Sequence, residues 1–457
     1  MAETTESPKL RRELGLLQAA ALAITDMIGI GPFITIPLFL STMGGPQAML
    51  GWIVGAALAF SDCLVWAELG AAMPKAGGSY NYLREAFGPA TAGRWFSFLI
   101  VWQIMFSAPL SVASGSIGFA NYFHYLVPGL SAWGVRIFAS LIPLAMILIL
   151  YRRIRTVGNL SIVLLAGVLV GCFWIIVSGA PHLDATRIFD FPPNAFRMDV
   201  TFWAGLGAAT LFAMYDYFGY YNVCYLAEEI RDPGRVIPRA MLLSIAVVAS
   251  LYLLMNASIL SVVPWREAQQ SKFIASTYIE KLHGVGAGNL MTLLMLWIAF
   301  SSVFSVLLGY TRIPYAAAAD GNFFRVFARL HPKGDFPHVS LVTLGLIASA
   351  FSLLRLPEVI GSLVAIRVMN QYFPQAISFF VLRFRRPEMP RPFRMWLYPL
   401  PGIVIVLGWI YILATSQPRS LLLGVAVFVV GTVAFFFRAW KRREWPFEKR
   451  QVAGGMW

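Results

Sequence analysis

Charge is what this sequence has least of. Only 13% of its 457 residues are Asp, Glu, Lys or Arg, about half the share found in soluble globular domains. The 58% of hydrophobic residues and the mean hydropathy of +0.68 are gathered into separate apolar runs. Each run has roughly 20 residues, the length that crosses a bilayer core. One very apolar soluble core does not produce that pattern, so the chain reads as an integral membrane protein. Acidic residues are scarcer than basic ones, 22 against 36, for a formal charge of +14. A nucleic-acid-binding face is excluded because no long soluble segment exists to carry it. A nucleotide-hydrolysing domain is excluded for the same reason, and no phosphate-cradling glycine loop followed by Lys-Ser/Thr occurs. The three cysteines, Cys63, Cys172 and Cys224, all fall within apolar runs without metal-ligand or redox spacing. They read as small packing residues. The five histidines are scattered in or beside loops, with no zinc spacing and no Ser-His-Asp arrangement. No cofactor or metal is expected, and an intramembrane enzyme is only a distant alternative. The opening "MAETTESPKLRRELG" lacks the basic start, short apolar core and small-residue cleavage site of a signal peptide, so the first run is expected to stay as a span.

What is present is a series of twelve expected spans, near 16–43, 48–73, 92–122, 134–150, 158–179, 200–226, 238–263, 286–318, 338–355, 357–382, 396–415 and 418–440. The third and eighth exceed the bilayer thickness, which calls for tilt or a protruding end. Basic residues collect in alternate loops. With the N-terminus inside, 27 Lys and Arg fall on the inner side and 8 on the outer, leaving Arg367 within a span. Short basic loops mark the cytoplasmic side, so both termini are expected there, with segment 1–15 and the basic tail 441–457 in the cytoplasm.

Two spans combine a glycine cluster with polar residues at mid-membrane. The first holds "AITDMIGIGPFIT", residues 23–35. The sixth holds "TLFAMYDYFGYYNVCYLAEEIRDPGR", residues 210–235, where Asp216 and Gly219 stand among Tyr215, Tyr217, Tyr220, Tyr221 and Tyr225. They are five spans apart. Interrupted helices in corresponding positions of two halves are the sequence sign of a secondary-transporter binding site. The architecture this predicts is two inverted five-helix repeats, 16–179 and 200–382, followed by two further helices in 396–440. An unwound segment frees backbone groups that lipid cannot satisfy, so it must line a cavity. Free N–H groups at a half-helix N-terminus suit a carboxylate, and free carbonyls suit an ammonium group. Together they would receive a zwitterionic amino acid. Close helix packing through small residues is the alternative use of such glycines.

The segment "AELGAAMPKAGGSYNYLREAFGP", residues 67–89, resembles the Pro-x-x-Gly-Gly-x-Tyr-x-Tyr signature of the amino acid–polyamine–organocation superfamily. "GIGPF" in the first span is similar to that family's Gly-Ser/Ala-Gly-x-Phe break. "EEIRDPGRVIPRAM", "RIPYAAAADGNFFRVFARLHP" and "RPFRMWLYPLPG" follow in the family's order. The resemblance runs from about residue 10 to 440. It implies an all-α polytopic protein of the LeuT-like fold, with helices 1 and 6 broken at the substrate, resembling bacterial amino acid and polyamine permeases of the cytoplasmic membrane. By position it implies that Gly29, Ile30 and Gly31 present N–H groups to a substrate carboxylate. Carbonyls near Met27, Tyr215, Asp216 and Phe218, beside Gly219, would accept from the amino group. Tyr215 would take the place of the aromatic that covers the substrate from outside. Tyr221 stands where some relatives carry an acidic coupling residue. The amphipathic stretch "GSYNYLREAFGP" would lie along the inner surface as a gating helix, an interfacial anchor being its plainer equivalent.

This chain also departs from the family pattern. Ile30 stands where the family has Ser or Ala, a bulk expected to narrow the pocket. Val168 stands where many relatives place a lysine in the fifth span, which puts a lysine-based mechanism in doubt. The loop "HYLVPGLSAWGVR" has no cysteine, so no disulfide-linked heavy chain is expected, and the assembly is expected to be a monomer or homodimer in contact with membrane lipid. Charged groups at mid-span cost about 3 kcal/mol on insertion scales and mark a cavity or a partner. Asp26 therefore has three readings: it binds a cationic amine or carries a proton, it pairs structurally with Arg367, or it lies in a vestibule. Similar readings apply to Asp216, which adjoins the second break. Arg367 could equally be a gate that closes onto an acidic group. Asp62, Glu68, Gln103 and Asn256 also fall within spans, Glu68 most simply as an interface contact. The function expected is amino-acid transport by alternating access, through exchange or proton-coupled uptake. A cationic amino acid or polyamine held by Asp26 and Asp216 is the alternative.

Overall fold

A computed structural model of the chain describes residues 14–75, 77–151, 157–332 and 336–447, with side chains of 157–165 left out. The segment 1–13 with its three basic residues, the loop residues Arg152, Arg153 and Arg155, Lys333, and the tail 448–457 lie outside the described residues.

Each apolar run of the sequence forms a helix or a pair of helices, because a backbone in an apolar setting must satisfy its own N–H and C=O groups. In chain order the helices are α1 (Leu16–Met27), α2 (Gly31–Met43), α3 (Leu50–Ala72), α4 (Ser79–Phe87), α5 (Gly93–Leu126), α6 (Ala132–Leu150) and α7 (Val157–Gly179). There follow α8 (Ala185–Ile188), α9 (Val200–Tyr217), α10 (Asn222–Tyr225), α11 (Pro233–Val262), α12 (Trp265–Ala268), α13 (Ile274–His283) and α14 (Val285–Tyr310). The series ends with α15 (Arg312–Ala319), α16 (His338–Phe351), α17 (Leu356–Arg367), α18 (Phe373–Arg385), α19 (Leu400–Thr415) and α20 (Pro418–Arg442). No strand occurs among the described residues; a single bridge joins Leu14 to Ile230.

Local chemistry sets several ends. Ser131 starts α6 by accepting from Gly134 N at 3.0 Å, and Asp199 starts α9 by accepting from Phe202 N at 3.0 Å, both as N-caps. Gly44, at φ +66°, stops α2 in the left-handed conformation. Among the described residues six helices are long and apolar enough to cross a membrane, and the bent pair α1 and α2 makes a seventh if it is one span. Ala166–His182, His338–Phe351 and Leu400–Thr415 are shorter apolar helices. The long third run is a single helix of 34 residues. Helix α13, between the seventh and eighth runs, has no counterpart among the expected spans.

The helices pack in two groups. One joins α1, α2, α3, α9 and α11; the other joins α5, α6, α14 and α16, and α17 bridges to α5, α9 and α20. Small residues let the first group close tightly: a side chain at Gly51 would run into Ala209, and one at Gly55 into Ala213. Glu68 lies near the C-terminal end of α3 and makes an interface contact. It accepts from Arg383 at 2.8 and 2.6 Å and from Met395 N at 2.7 Å, with Arg391 at 3.2 Å. That carboxylate holds the "RPFRM" segment against α3.

Candidate functional site

The two glycine clusters break their helices, and the breaks touch. Helix α1 ends at Met27, α2 begins at Gly31, and their axes differ by 49°. The glycines favour the coil over the helix, and Pro32, lacking an N–H, sits in the first turn of α2 where none is needed. Helix α9 ends at Tyr217, and the chain passes through Phe218 and Gly219 before α10. Gly219 has φ +131°, and a Cβ there would lie 2.7 Å from the carbonyl carbon of Asp26 and 2.8 Å from Met27 N. Only glycine permits both this conformation and this approach of one backbone to the other.

Side chains from distant helices hold the junction. Tyr252 of α11 donates its hydroxyl to Met27 O at 2.9 Å and to Asp216 O at 3.2 Å. Ser302 of α14 accepts from Ile30 N at 3.2 Å. The Ile30 side chain is buried and turned toward α5, where Gly118 and Gly115 leave room for it. Its bulk is taken up by helix packing, which is where the structure differs from the expected narrowing of a pocket. Phe39 stacks on Trp52 at 4.4 Å, and Trp52 meets Tyr252 at 5.0 Å. The Tyr215 hydroxyl and Ser114 Oγ are 2.8 Å apart, tying α9 to α5.

The charged residues have separate surroundings. Asp26 is exposed, on the face of α1 that also carries Leu17, Gln18, Ala21 and Leu22, and accepts from Asn222 Nδ2 at 3.1 Å. Asp216 is only 2% exposed. Its Oδ2 accepts from Thr35 Oγ1 at 2.6 Å, while Oδ1 has no hydrogen-bond partner. Arg367, also buried, donates to Tyr221 OH at 3.0 Å and Tyr310 OH at 2.9 Å and lies 5.5 Å from the centre of the Phe218 ring. The structural pairing of Asp26 with Arg367 is not formed: one is held by an amide, the other by two phenols. Phe218 stacks on Tyr372 at 4.9 Å. Val168 is buried. Sequence reasoning named Asp62 but not its partner: it accepts from Tyr220 OH at 2.5 Å, beside the second break. It missed Thr35, Ser114, Asn222, Tyr252, Ser302 and Tyr310 altogether, since hydroxyls and amides inside apolar runs carry no signal of what they will meet. Among the described residues no group of three His, Cys, Asp or Glu could hold a metal ion, and the three cysteines are buried and unpaired.

This arrangement brings two broken helices into backbone contact within an apolar bundle, the pattern expected of a secondary-transporter site. Comparison with known families gives the same direction. The sequence profile described as "Amino acid permease" matches residues 14–437. The chain belongs to the amino acid permease family. It is therefore an integral membrane protein of a transporter family, within the superfamily its motifs resemble, and not an enzyme. Among its relatives is the rat large neutral amino acids transporter small subunit 2, 28% identical over 93% of this chain and 80% of the relative. The mouse Asc-type amino acid transporter 1 is 27% identical over 94% of this chain and 82% of the relative. The mouse cationic amino acid transporter 4 is 25% identical over 85% and 62% respectively.

Proposed function

We propose that this permease is a secondary active transporter that moves an amino acid across the cytoplasmic membrane, in a bacterium the inner membrane, by alternating access. The observation that carries the reading is the contact of Gly219 with the Asp26–Met27 peptide, which brings two helix breaks to one point inside the bundle. The substrate carboxylate is received at the N-terminus of α2, around Gly29, Ile30 and Gly31. The Ile30 N–H is already engaged by Ser302, so Gly31 supplies the free donor. The ammonium group is received by the second lone pairs of the Met27 and Asp216 carbonyls and by the backbone near Tyr215 and Phe218. Tyr215 covers the substrate, held by Ser114.

The helix groups support a ten-helix core of two inverted repeats, 16–179 and 200–382, with 396–440 as two added spans. Spans one, two, six and seven pack together, as do three, four, eight and nine, so each group holds members five apart. Both termini lie in the cytoplasm, following the basic loops. Asp26, on the cytoplasmic side of the break and on an open helix face, belongs to the water path of an inward-facing state, because a charged group does not face lipid. Arg367 ties α17 and α14 to the second break through Tyr221 and Tyr310, and acts as a gate when that break moves.

A second reading, transport of a cationic amino acid or polyamine, is favoured by the partnerless Oδ1 of Asp216. The chain works as a monomer or homodimer without a disulfide-linked subunit. The test is uptake by proteoliposomes of neutral amino acids, arginine and putrescine, with and without a pH gradient. Saturable uptake or exchange of one amino-acid class supports the reading. Uptake of putrescine alone transfers it to the second, and failure of every class to enter or compete overturns it.

A further inference from the structure

The seat at which a substrate carboxylate would dock is shared with a carboxylate of the protein itself. A side chain added at Gly31 would collide with Asp216 Oδ1, so that oxygen lies against the first residue of α2, a helix of 13 residues. Oδ1 is buried and without a hydrogen-bond partner, while Thr35 holds only Oδ2. Among the described residues no cation is paired with the group. Facing it are the Thr35 hydroxyl from α2, the Tyr252 phenol from α11, which donates to the Asp216 backbone carbonyl, and its neighbours Tyr215 and Tyr217. Among the other elements packed on α9, Asp62 of α3 is bonded to Tyr220, Glu68 to Arg383 and Met395, and Arg367 of α17 to Tyr221 and Tyr310. Glu358 of α17 is paired with Arg419, 3.6 Å away, and the Tyr411 hydroxyl of α19 donates to Trp203 O.

We infer that Asp216 makes the binding of a carboxylate-bearing substrate proton-linked. The inference rests on the proposal that the substrate carboxylate docks at the N-terminus of α2. Two carboxylates in contact within a low-dielectric site cannot both stay ionised, and the pair retains one proton. The balance is simple: ionised Asp216, a zwitterionic amino acid and one proton form the loaded site, with the proton bridging Oδ1 and the substrate carboxylate. Where Asp216 starts ionised, one net positive charge then accompanies each amino acid; where it already holds the proton, none is taken up. An amine without a carboxylate needs no such proton, because it meets Asp216 as a counter-ion.

The experiment is calorimetric titration of the purified protein with a neutral amino acid in buffers of different ionisation heat, repeated over about pH 6 to 9. The expected result is uptake of about one proton per amino acid on the alkaline side, where affinity falls about tenfold per pH unit. Asp216→Asn, which carries no titrating proton, is expected to bind with no uptake and no fall. Thr35→Val removes the hydroxyl that favours the ionised form, and moves the onset of the fall to higher pH; this variant decides the matter should Asp216→Asn not fold. Binding of the wild type without proton uptake, uptake retained in Asp216→Asn, or an unshifted onset in Thr35→Val overturns the inference alone. Absence of amino-acid binding at every pH overturns the transport reading, and this inference with it.

Discussion

Removing one oxygen atom, by Tyr252→Phe, tests whether the two breaks are held together as the geometry indicates. The hydroxyl reaches Met27 O at 2.9 Å and Asp216 O at 3.2 Å. It has a single proton, so the two contacts count together as about one net hydrogen bond, worth about 1 kcal/mol. Met27 O keeps the Gly29 N–H at 3.2 Å. Asp216 O, at the open end of α9, is left as a buried acceptor, which adds about 1 to 2 kcal/mol. The phenyl ring keeps its packing against Trp52 and Tyr217, whose ring centres lie at 5.0 and 5.6 Å, so no cavity contributes. The expected loss is about 2 to 3 kcal/mol. It is read from reversible unfolding of the wild type and variant in the same detergent. Saturating amino acid is expected to narrow the gap, because a substrate ammonium can donate to the freed carbonyl. A variant within about 0.5 kcal/mol of the wild type, or a gap unaltered by substrate, refutes the reasoning.

Three further outcomes are expected. Gly219→Ala forces a Cβ against the Asp26–Met27 peptide at φ +131°; it is expected to abolish uptake and to cost about 3 kcal/mol or more in the same unfolding assay. Gly129→Ala, with open space around it, serves as the control and stays at wild-type stability. Glu68→Gln takes the counter-ion from Arg383 and Arg391 and is expected to destabilise by about 3 kcal/mol, with faster protease cleavage in 386–395; unchanged cleavage counts against the anchor. Asp26→Asn removes a charge held by one amide contact, so stability is expected to change by less than about 0.5 kcal/mol, while the pH dependence or substrate profile of uptake changes. An unaltered profile removes Asp26 from the mechanism.

Much of the fold was legible in the sequence because bilayer length and helix period act on contiguous residues. Every one of the twelve expected ranges contains a helix or helix pair, and both breaks fall at the glycine clusters that predicted them. Ends moved by a few residues where caps such as Ser131 decide them, since α6 starts at Ala132 against the expected 134. Helix α13 was not foreseen, since its ten residues are too few and too mixed to read as a span. Of the candidate site, the two helix breaks were legible and the side chains that hold them were not. Asp26 offered three readings because its surroundings are set by Asn222, 196 residues away in sequence.

The sequence by itself determined that the chain is a helical membrane protein of the permease family, and that its first and sixth apolar runs are interrupted. These follow from composition, local helix chemistry and ordered motifs, all of which act along the chain. The tertiary structure alone decided that the interruptions meet, that Ile30 turns to Gly115 and Gly118, and that Arg367 lies among phenols apart from Asp26. It alone placed Asp216, bonded to Thr35 across 181 residues of sequence, against the start of α2. Contacts of that kind depend on how helices pack in three dimensions, and a hydroxyl or carboxylate inside an apolar run acquires its chemistry only from the neighbour that packing brings to it.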